Sequence, residues 1–236
     1  MYIAASMTPE PLCLHPEMSL LEVRDYFPGK SFRHFPVTGA GGRLVGMVSD
    51  RDLRSAFPST VLNPLLRLDQ LTRLAQVRVE SIMSRAPITL PLEATLDDAL
   101  LLFDRHNIGA LPVVDHDFKL VGIITVRDVL AAYRRLFGIG VAGSSLIEVR
   151  DDGRPNLMSR IAAALEGGGI DCPRLVRTDQ ASGAGSGPGT VYARVQTYNI
   201  HSVHEALSAA GLESVSRKPA APSAHTSGGE RDRDHA

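Results

Sequence analysis

Two apolar segments of this chain end in the same way. The segments "RLVGMVSDRDL", residues 43–53, and "KLVGIITVRDV", residues 119–129, each run into a Ser or Thr that is followed by Arg and Asp. A second apolar run, "FPVT" or "LPVVD", precedes each across a short polar turn, so the pattern predicts two β-hairpins. Apolar spacing of three and four in "ATLDDALLLFDRH" predicts a helix before the second hairpin, and another helix should start at Ser49 or Thr125. Each segment therefore predicts the order β, α, β, β, α.

The two hairpins belong to an internal repeat. Sliding the sequence against itself by 76 residues places Met7 on Met83 and Arg51-Asp52 on Arg127-Asp128 without a gap. A coincidental match would not keep one register over this length, so we infer a duplicated unit. The predicted copies span residues 1–57 and 79–137.

Residues 58–78 lie between the copies and carry leucines three residues apart after Pro64. The spacing predicts a linker helix that packs on the repeats. The alternative is an amphipathic helix that binds a partner.

A third unit is predicted over residues 144–217, where the order is β, α, β, β, α, β. This order is typical of the ferredoxin-like fold, and the whole chain is predicted to be α+β. The run "SGAGSGPG" has no lysine and opens no helix, which favours a hairpin loop over a phosphate loop. Residues 218–236 have almost nothing apolar to bury and are predicted to be disordered.

Composition limits the partners. The 236 residues carry 25 Lys and Arg against 26 Asp and Glu, a net charge of −1, so no general attraction to nucleic acid or anionic membrane is expected. Cys13 and Cys172 are the only cysteines, which fits buried thiols in a reducing compartment. No window approaches the ~18 apolar residues of a membrane span, and we expect a cytoplasmic protein.

Chemistry-bearing residues do not cluster. His201 and His204 share a predicted helix face, but no other metal-ligating residue stands at ligand spacing, and we expect no metal. No histidine is grouped with a serine or cysteine in a recognisable nucleophile motif, so we do not expect an enzyme.

The repeated Ser/Thr-x-x-Asp motif has two explanations. It is close to a capping box, which would stabilise a helix and carry no function. Alternatively, the helix N-terminus with Arg51 or Arg127 would attract a phosphate, and Asp52 or Asp128 would accept the two hydroxyls of a ribose.

The motifs Met-[Ser/Thr]-x-x-Pro, Pro-Val and Leu-Val-Gly-x-[Val/Ile]-[Ser/Thr]-x-Arg-Asp, present twice, resemble tandem CBS domains, the pair known as a Bateman module. The resemblance implies two βαββα units around a pseudo-two-fold axis, with clefts that bind AMP, ADP, ATP or S-adenosylmethionine. It places Asp52 and Asp128 on ribose hydroxyls, and Ser49 and Thr125 near ribose or phosphate. Arg51 and Arg127 face the phosphate region. The base pockets would be lined by Pro11, Leu12 and Phe35, and by Pro87, Ile88 and Leu111.

Basic residues before the Pro-Val strand often point into the central cleft of that family. Arg33 and His34 match in the first copy, whereas Gly109 and Ala110 stand at these positions in the second. The difference implies that the halves bind phosphate unequally, with one site empty or selective for a less charged ligand.

Residues 144–217 resemble an ACT domain, a regulatory fold that commonly dimerises and binds amino acids. Asn156 stands where many ACT domains have a glycine, which puts amino-acid binding in doubt. The order CBS, CBS, ACT resembles AcuB-type proteins of acetoin utilisation. We therefore predict a homodimeric regulatory sensor of an adenosine-containing ligand that acts on an unknown protein; the alternative is an adaptor with vacant clefts.

Overall fold

The computed structural model describes residues 1–26, 33–57, 72, 74–178 and 189–216. The chain divides into two compact units, Met1–Arg134 and Arg135–Ala236. Most of the predicted linker helix, the glycine-rich loop and the tail lie outside the described residues. Among the helices that are described, none combines the length and the apolar character that a membrane crossing needs.

The first unit contains both copies of the repeat. Its helices among the described segments are α1 (Leu20–Tyr26), α2 (Asp50–Ala56), α3 (Leu96–His106) and α4 (Val126–Leu136), the last of which ends just beyond the unit boundary. Its strands are β1 (Thr8–Pro9), β2 (His34–Thr38), β3 (Leu44–Ser49), β4 (Ser84–Arg85), β5 (Leu90–Pro91), β6 (Ala110–Val114) and β7 (Leu120–Thr125). The strands β2 with β3 and β6 with β7 form the two predicted antiparallel hairpins.

All four helices begin with the same device. A Ser or Thr precedes the helix, its backbone N–H and its hydroxyl both donate to a carboxylate three residues on, and its hydroxyl oxygen accepts that residue's N–H. The pairs are Ser19 with Glu22, Ser49 with Asp52, Thr95 with Asp98, and Thr125 with Asp128. These are capping boxes, so the structural explanation of the motif holds at every one of these helices.

The two copies exchange their N-terminal segments. Strand β1 of the first copy pairs with β7 of the second, with Pro9 opposite Gly122, and β4 of the second pairs with β3 of the first, with Arg85 opposite Gly46. The resulting sheets have the orders β1-β7-β6-β5 and β2-β3-β4. Each copy therefore completes the sheet of the other, which the sequence repeat did not indicate.

The exchange extends into the cores. Ile3, from the first copy, is fully buried among apolar residues of the second, including Leu96, Phe103 and Ile124. In the equivalent place, Val79 of the second copy is fully buried with Leu20 of the first. The apolar core of each copy is therefore built from both halves of the repeat.

Two glycines make room for the crossing segments. A Cβ atom on Gly46 would lie 2.6 Å from Sδ of Met83 and 3.1 Å from the carbonyl oxygen of Ser84. On Gly122, a Cβ atom would lie 2.6 Å from Sδ of Met7, with the Thr8 carbonyl oxygen 3.2 Å away. A larger side chain at either position would push the exchanged segment off its strand.

The second unit is a four-stranded antiparallel sheet with two helices. Its elements are β8 (Ser144–Arg150), α5 (Leu157–Gly167), β9 (Asp171–Thr178), β10 (Thr190–Gln196), α6 (Ile200–Ala209) and β11 (Ser214–Ser216). The strand order is β11-β8-β10-β9. One face of β8 and β10 buries Ile147, Val149, Val191 and Val195 in a core to which both helices contribute. The element order is the one that the sequence predicts.

Replacing Ile3 by Ala should lower the free energy of unfolding by roughly 2–5 kcal/mol, because it opens a cavity in the core of the second copy. Tyr2→Ala is the matched control, since its side chain is 66% exposed, and it should change stability by no more than about 0.5 kcal/mol. Urea unfolding followed by far-UV circular dichroism measures both. Equal effects of the two substitutions would contradict the exchange of segments.

Candidate functional site

In the described part of the first unit, a cavity lies beside each copy of the repeated motif. The larger cavity, about 810 Å³, is bordered by Ser49, Arg51 and Asp52 at the start of α2. The smaller cavity, about 430 Å³, is bordered by Thr125, Arg127 and Asp128 at the start of α4. Both fall within the roughly 300–1,000 Å³ of typical small-molecule sites.

The opposite copy contributes apolar residues to each cavity. Pro87 and Ile88 of the second copy line the larger cavity, beside the α2 motif. Pro11 and Leu12 of the first copy, together with Phe35 of β2, line the smaller one, beside the α4 motif. The exchange of segments accounts for the prolines and their neighbours, because they follow within three residues of β4 and β1, which cross between the copies.

Leu111 departs from the expectation. It is fully buried in the apolar core of the second copy and borders neither cavity. In β6 the neighbouring residue Ala110 borders the larger cavity instead. The expected lining role of Leu111 is not met by these two cavities, although its equivalent in the first copy, Phe35, is just as buried and does border the smaller one.

The two motif carboxylates have one oxygen occupied and one available. Oδ2 of Asp52 accepts the Ser49 N–H at 2.8 Å and the Ser49 hydroxyl at 2.7 Å, and Asp128 holds Thr125 with the same distances. Among the hydrogen bonds of the described residues, none reaches Oδ1 of either aspartate. Both side chains are partly exposed at a cavity wall. Among the described residues, the capping role therefore leaves Oδ1 of each aspartate without a donor, and each aspartate borders a cavity.

Positive charge exceeds negative charge at both cavities. The larger one has Arg33, Arg51 and Arg54 against Asp50 and Asp52, and Arg54 is already paired with Asp50 at 2.8 Å. The smaller one has Arg33 and Arg127 against Asp128. Beside each aspartate, at least two arginines are thus left to attract an anion.

Arg33 and His34 border both cavities. His34 lies opposite Ser49 in the β2–β3 pairing, and its ring packs against Gly109, where an added Cβ atom would lie 3.0 Å from Cε1. The sequence placed these two basic residues in one half of the repeat. In the structure Arg33 and His34 form a wall common to both cavities. Gly109 has no side chain that would come between this wall and either cavity.

Sequence analysis missed several lining residues. Thr8 borders the smaller cavity and Ser84 the larger, each on an exchanged strand, and residues 107–110 border the larger. The signal for the first two was the repeated Met-[Ser/Thr] dipeptide. Its position in the sheet of the other copy could not be read from one sequence.

Other reactive side chains form no cluster. Within the described ranges no group of three or more His, Cys, Asp or Glu side chains is placed to hold a metal ion. His204 shares a hydrogen bond of 2.8 Å with the Ser214 hydroxyl, and His201 lies 3.1 Å from Glu205. Cys13 and Cys172 are free thiols, half-buried where full burial was expected, and burial raises the pKa of each.

Comparison with known proteins agrees with the geometry. The sequence model of the CBS domain matches residues 3–59 and 79–135. A CBS domain-containing protein of Dictyostelium discoideum is 37% identical over 100 residues, which are 42% of this chain and 68% of that protein. For other curated relatives the chain spans as little as 21% of their length.

Two solved structures are also similar. The structure of CBSX2 from Arabidopsis thaliana in complex with AMP has 28% identity and a TM-score of 0.47, covering 57% of this chain and 97% of CBSX2. The acetoin utilization protein AcuB from Vibrio cholerae has 26% identity and a TM-score of 0.48, covering 59% of this chain and 94% of AcuB.

The shared wall predicts a pH dependence of stability. Burial, reinforced by the charge of Arg33, holds the pKa of His34 below its ordinary value of 6.5, while Asp52 and Asp50 oppose the shift. As pH falls, the His34 side chain is therefore protonated in the unfolded chain at a higher pH than in the folded chain. The stabilising contribution is complete above the unfolded pKa and is lost as pH falls through the lower folded-state pKa.

Urea unfolding at about pH 8 and about pH 5.5 measures this loss, since the range spans the ordinary histidine pKa. His34→Gln should lose less stability between the two pH values than the unaltered protein. The control His116→Gln, exposed in a turn, should lose as much as the unaltered protein. An unchanged loss in His34→Gln would contradict the prediction.

Proposed function

This chain belongs to the CBS domain-containing proteins, with two tandem copies of the domain, and we propose that its two cavities bind an adenosine-containing ligand that regulates another protein. Candidate ligands are AMP, ADP, ATP and S-adenosylmethionine. The ligand would favour whichever arrangement of the chain it binds more tightly, and the size of the shift is limited by that difference in affinity.

One observation carries the proposal. At each cavity an aspartate caps its helix through Oδ2 while its Oδ1 accepts no hydrogen bond from the described residues, and an arginine and apolar side chains border the same cavity. A carboxylate oxygen suits the hydroxyls of a ribose, an arginine suits a phosphate, and proline with aliphatic side chains suits the face of a base. These three chemistries match the three parts of a nucleotide.

The same hydrogen bonds favour a binding role over a catalytic one. The Ser49 and Thr125 hydroxyls both donate to the capping carboxylates. An activated nucleophile needs a base that is free to take its proton, whereas the same oxygen of each carboxylate also accepts a backbone N–H and holds the start of the helix. We propose that the protein is a regulator and not an enzyme.

We also propose that the second unit is ACT-like and forms a homodimer. Its order β, α, β, β, α, β and its strand order β11-β8-β10-β9 support a ferredoxin-like fold. On the sheet face away from the helices, Leu146, Val176 and Val215 are 38–41% exposed, which supports an interface between copies. Asn156 begins α5 in a left-handed conformation with φ of 57°, the conformation that a glycine would adopt at no cost.

The combination of modules supports a regulatory role in carbon or energy metabolism, as in AcuB-type proteins. We propose that the protein acts in the cytoplasm on a partner that remains to be identified. Ligand occupancy in the first unit would be transmitted to that partner through packing of domains or subunits.

Replacing Asp52 or Asp128 by Ala should weaken nucleotide binding by about tenfold or more, because a hydrogen bond to a charged group contributes roughly 1.5–3 kcal/mol. Isothermal titration with AMP, ADP, ATP and S-adenosylmethionine measures the affinity. Each substitution should weaken ligand binding at the cavity that the aspartate borders, and a ligand molecule should still bind at the other cavity.

Asp98→Ala is the matched control. Asp98 caps α3 with the same three hydrogen bonds but borders neither cavity. All three variants should lose a similar helix-cap stability, about 0.5–2 kcal/mol, and only Asp98→Ala should keep its affinity. NAD is added to the ligand panel. If AMP, ADP, ATP, S-adenosylmethionine and NAD all fail to bind to the folded protein, the proposal fails and the adaptor alternative is supported.

A further inference from the structure

The two copies of the repeat differ in charge where their hairpins begin. Arg33-His34 starts β2, and the equivalent Gly109-Ala110 starts β6. The two strand starts are held in equivalent ways, since the Asp50 N–H donates to the Arg33 carbonyl at 2.8 Å and the Val126 N–H to the Gly109 carbonyl at 3.3 Å. The backbones therefore match while the side chains do not.

The unequal side chains fit one another. The His34 ring occupies space beside Gly109, with an imaginary Cβ atom only 3.0 and 3.3 Å from its Cε1 and Nε2 atoms. A second Arg-His pair at 109 and 110 would collide with the first and repel it. One Arg-His pair thus takes the place of two, and Arg33, His34 and Gly109 are common to the linings of both cavities.

Arg33 is one of the arginines that could bind a ligand phosphate in each of the two cavities. In the larger cavity Arg54 is paired with Asp50, so Arg51 and Arg33 remain for a ligand. In the smaller cavity Arg127 and Arg33 remain. Each cavity therefore has one arginine of its own, Arg51 or Arg127, and Arg33 is the second arginine of both cavities.

We propose that Arg33 and His34 form a single phosphate subsite shared by the two cavities, so that a phosphate-bearing ligand in one cavity weakens binding of a second in the other. A ligand without phosphate occupies both cavities independently. This inference rests on the proposed function and adds its regulation: the first unit responds to phosphorylated ligand mainly through one bound molecule. Like charges brought to one wall repel, and an arginine already bound to one phosphate has fewer donors left for another.

The test is isothermal titration of the full chain with AMP and with adenosine. Asp128→Ala reports the larger cavity alone, and Asp52→Ala the smaller. We expect the second AMP to bind to the unaltered protein at least about fivefold more weakly than AMP binds to that cavity alone, since couplings between sites are usually 5–150-fold. Adenosine should show no such difference.

Arg33→Gln should weaken AMP at both cavities and abolish the difference between the second step and the single-cavity affinity. The Arg33 side chain is exposed, so the variant should fold. Arg43→Gln, also exposed but outside both cavity linings, is the control and should keep the coupling.

Two AMP molecules that bind with their single-cavity affinities, or coupling that survives Arg33→Gln, would overturn the shared subsite and leave the proposed function intact. A folded chain that binds neither AMP nor adenosine, nor any other ligand of the panel, would overturn the proposed function and the shared subsite together.

Discussion

The exchange of N-terminal segments between the two copies is the interaction on which the first unit depends. A single βαββα copy lacks the outer strand of its sheet and part of its core, and the other copy supplies both through Ile3 and β1 or through Val79 and β4. Gly46 and Gly122 allow the crossing segments to approach the strands they join. The same crossing brings the apolar wall of one copy opposite the motif of the other, so stability and the cavities have one origin.

The repeated Ser/Thr-x-x-Asp motif both caps a helix and places a carboxylate at a cavity, two roles that the sequence presents as alternatives. Four of the described helices carry the capping box, and at α1 and α3 its carboxylate borders neither cavity. At α2 and α4 the same carboxylate also borders a cavity, because the helix start there meets the crossing segment. A carboxylate has two oxygens, so one can hold the helix while the other faces a ligand.

The two copies are not equivalent where the His34 ring packs against Gly109. A second Arg-His pair at residues 109 and 110 would combine steric overlap with charge repulsion between the arginines. Gly109 and Ala110 avoid this, and His34 packs beside Gly109. The two cavities therefore differ in their own residues and have Arg33 and His34 in common.

The sequence alone determined the duplication, the order of the elements apart from the exchanged strands, and the helix starts, because each depends on local spacing: alternation in strands, three-and-four spacing in helices, and a hydroxyl three residues before a carboxylate. About half of the residues that line the two cavities followed from the repeated motif and its resemblance to the CBS family. It also placed Arg33-His34 and Gly109-Ala110 at equivalent positions. Only the tertiary structure decided that each motif faces the wall of the other copy, that Leu111 points into the core, and that Arg33 and His34 border both cavities. These depend on strands that cross between copies, and a crossing leaves no periodic trace in the chain.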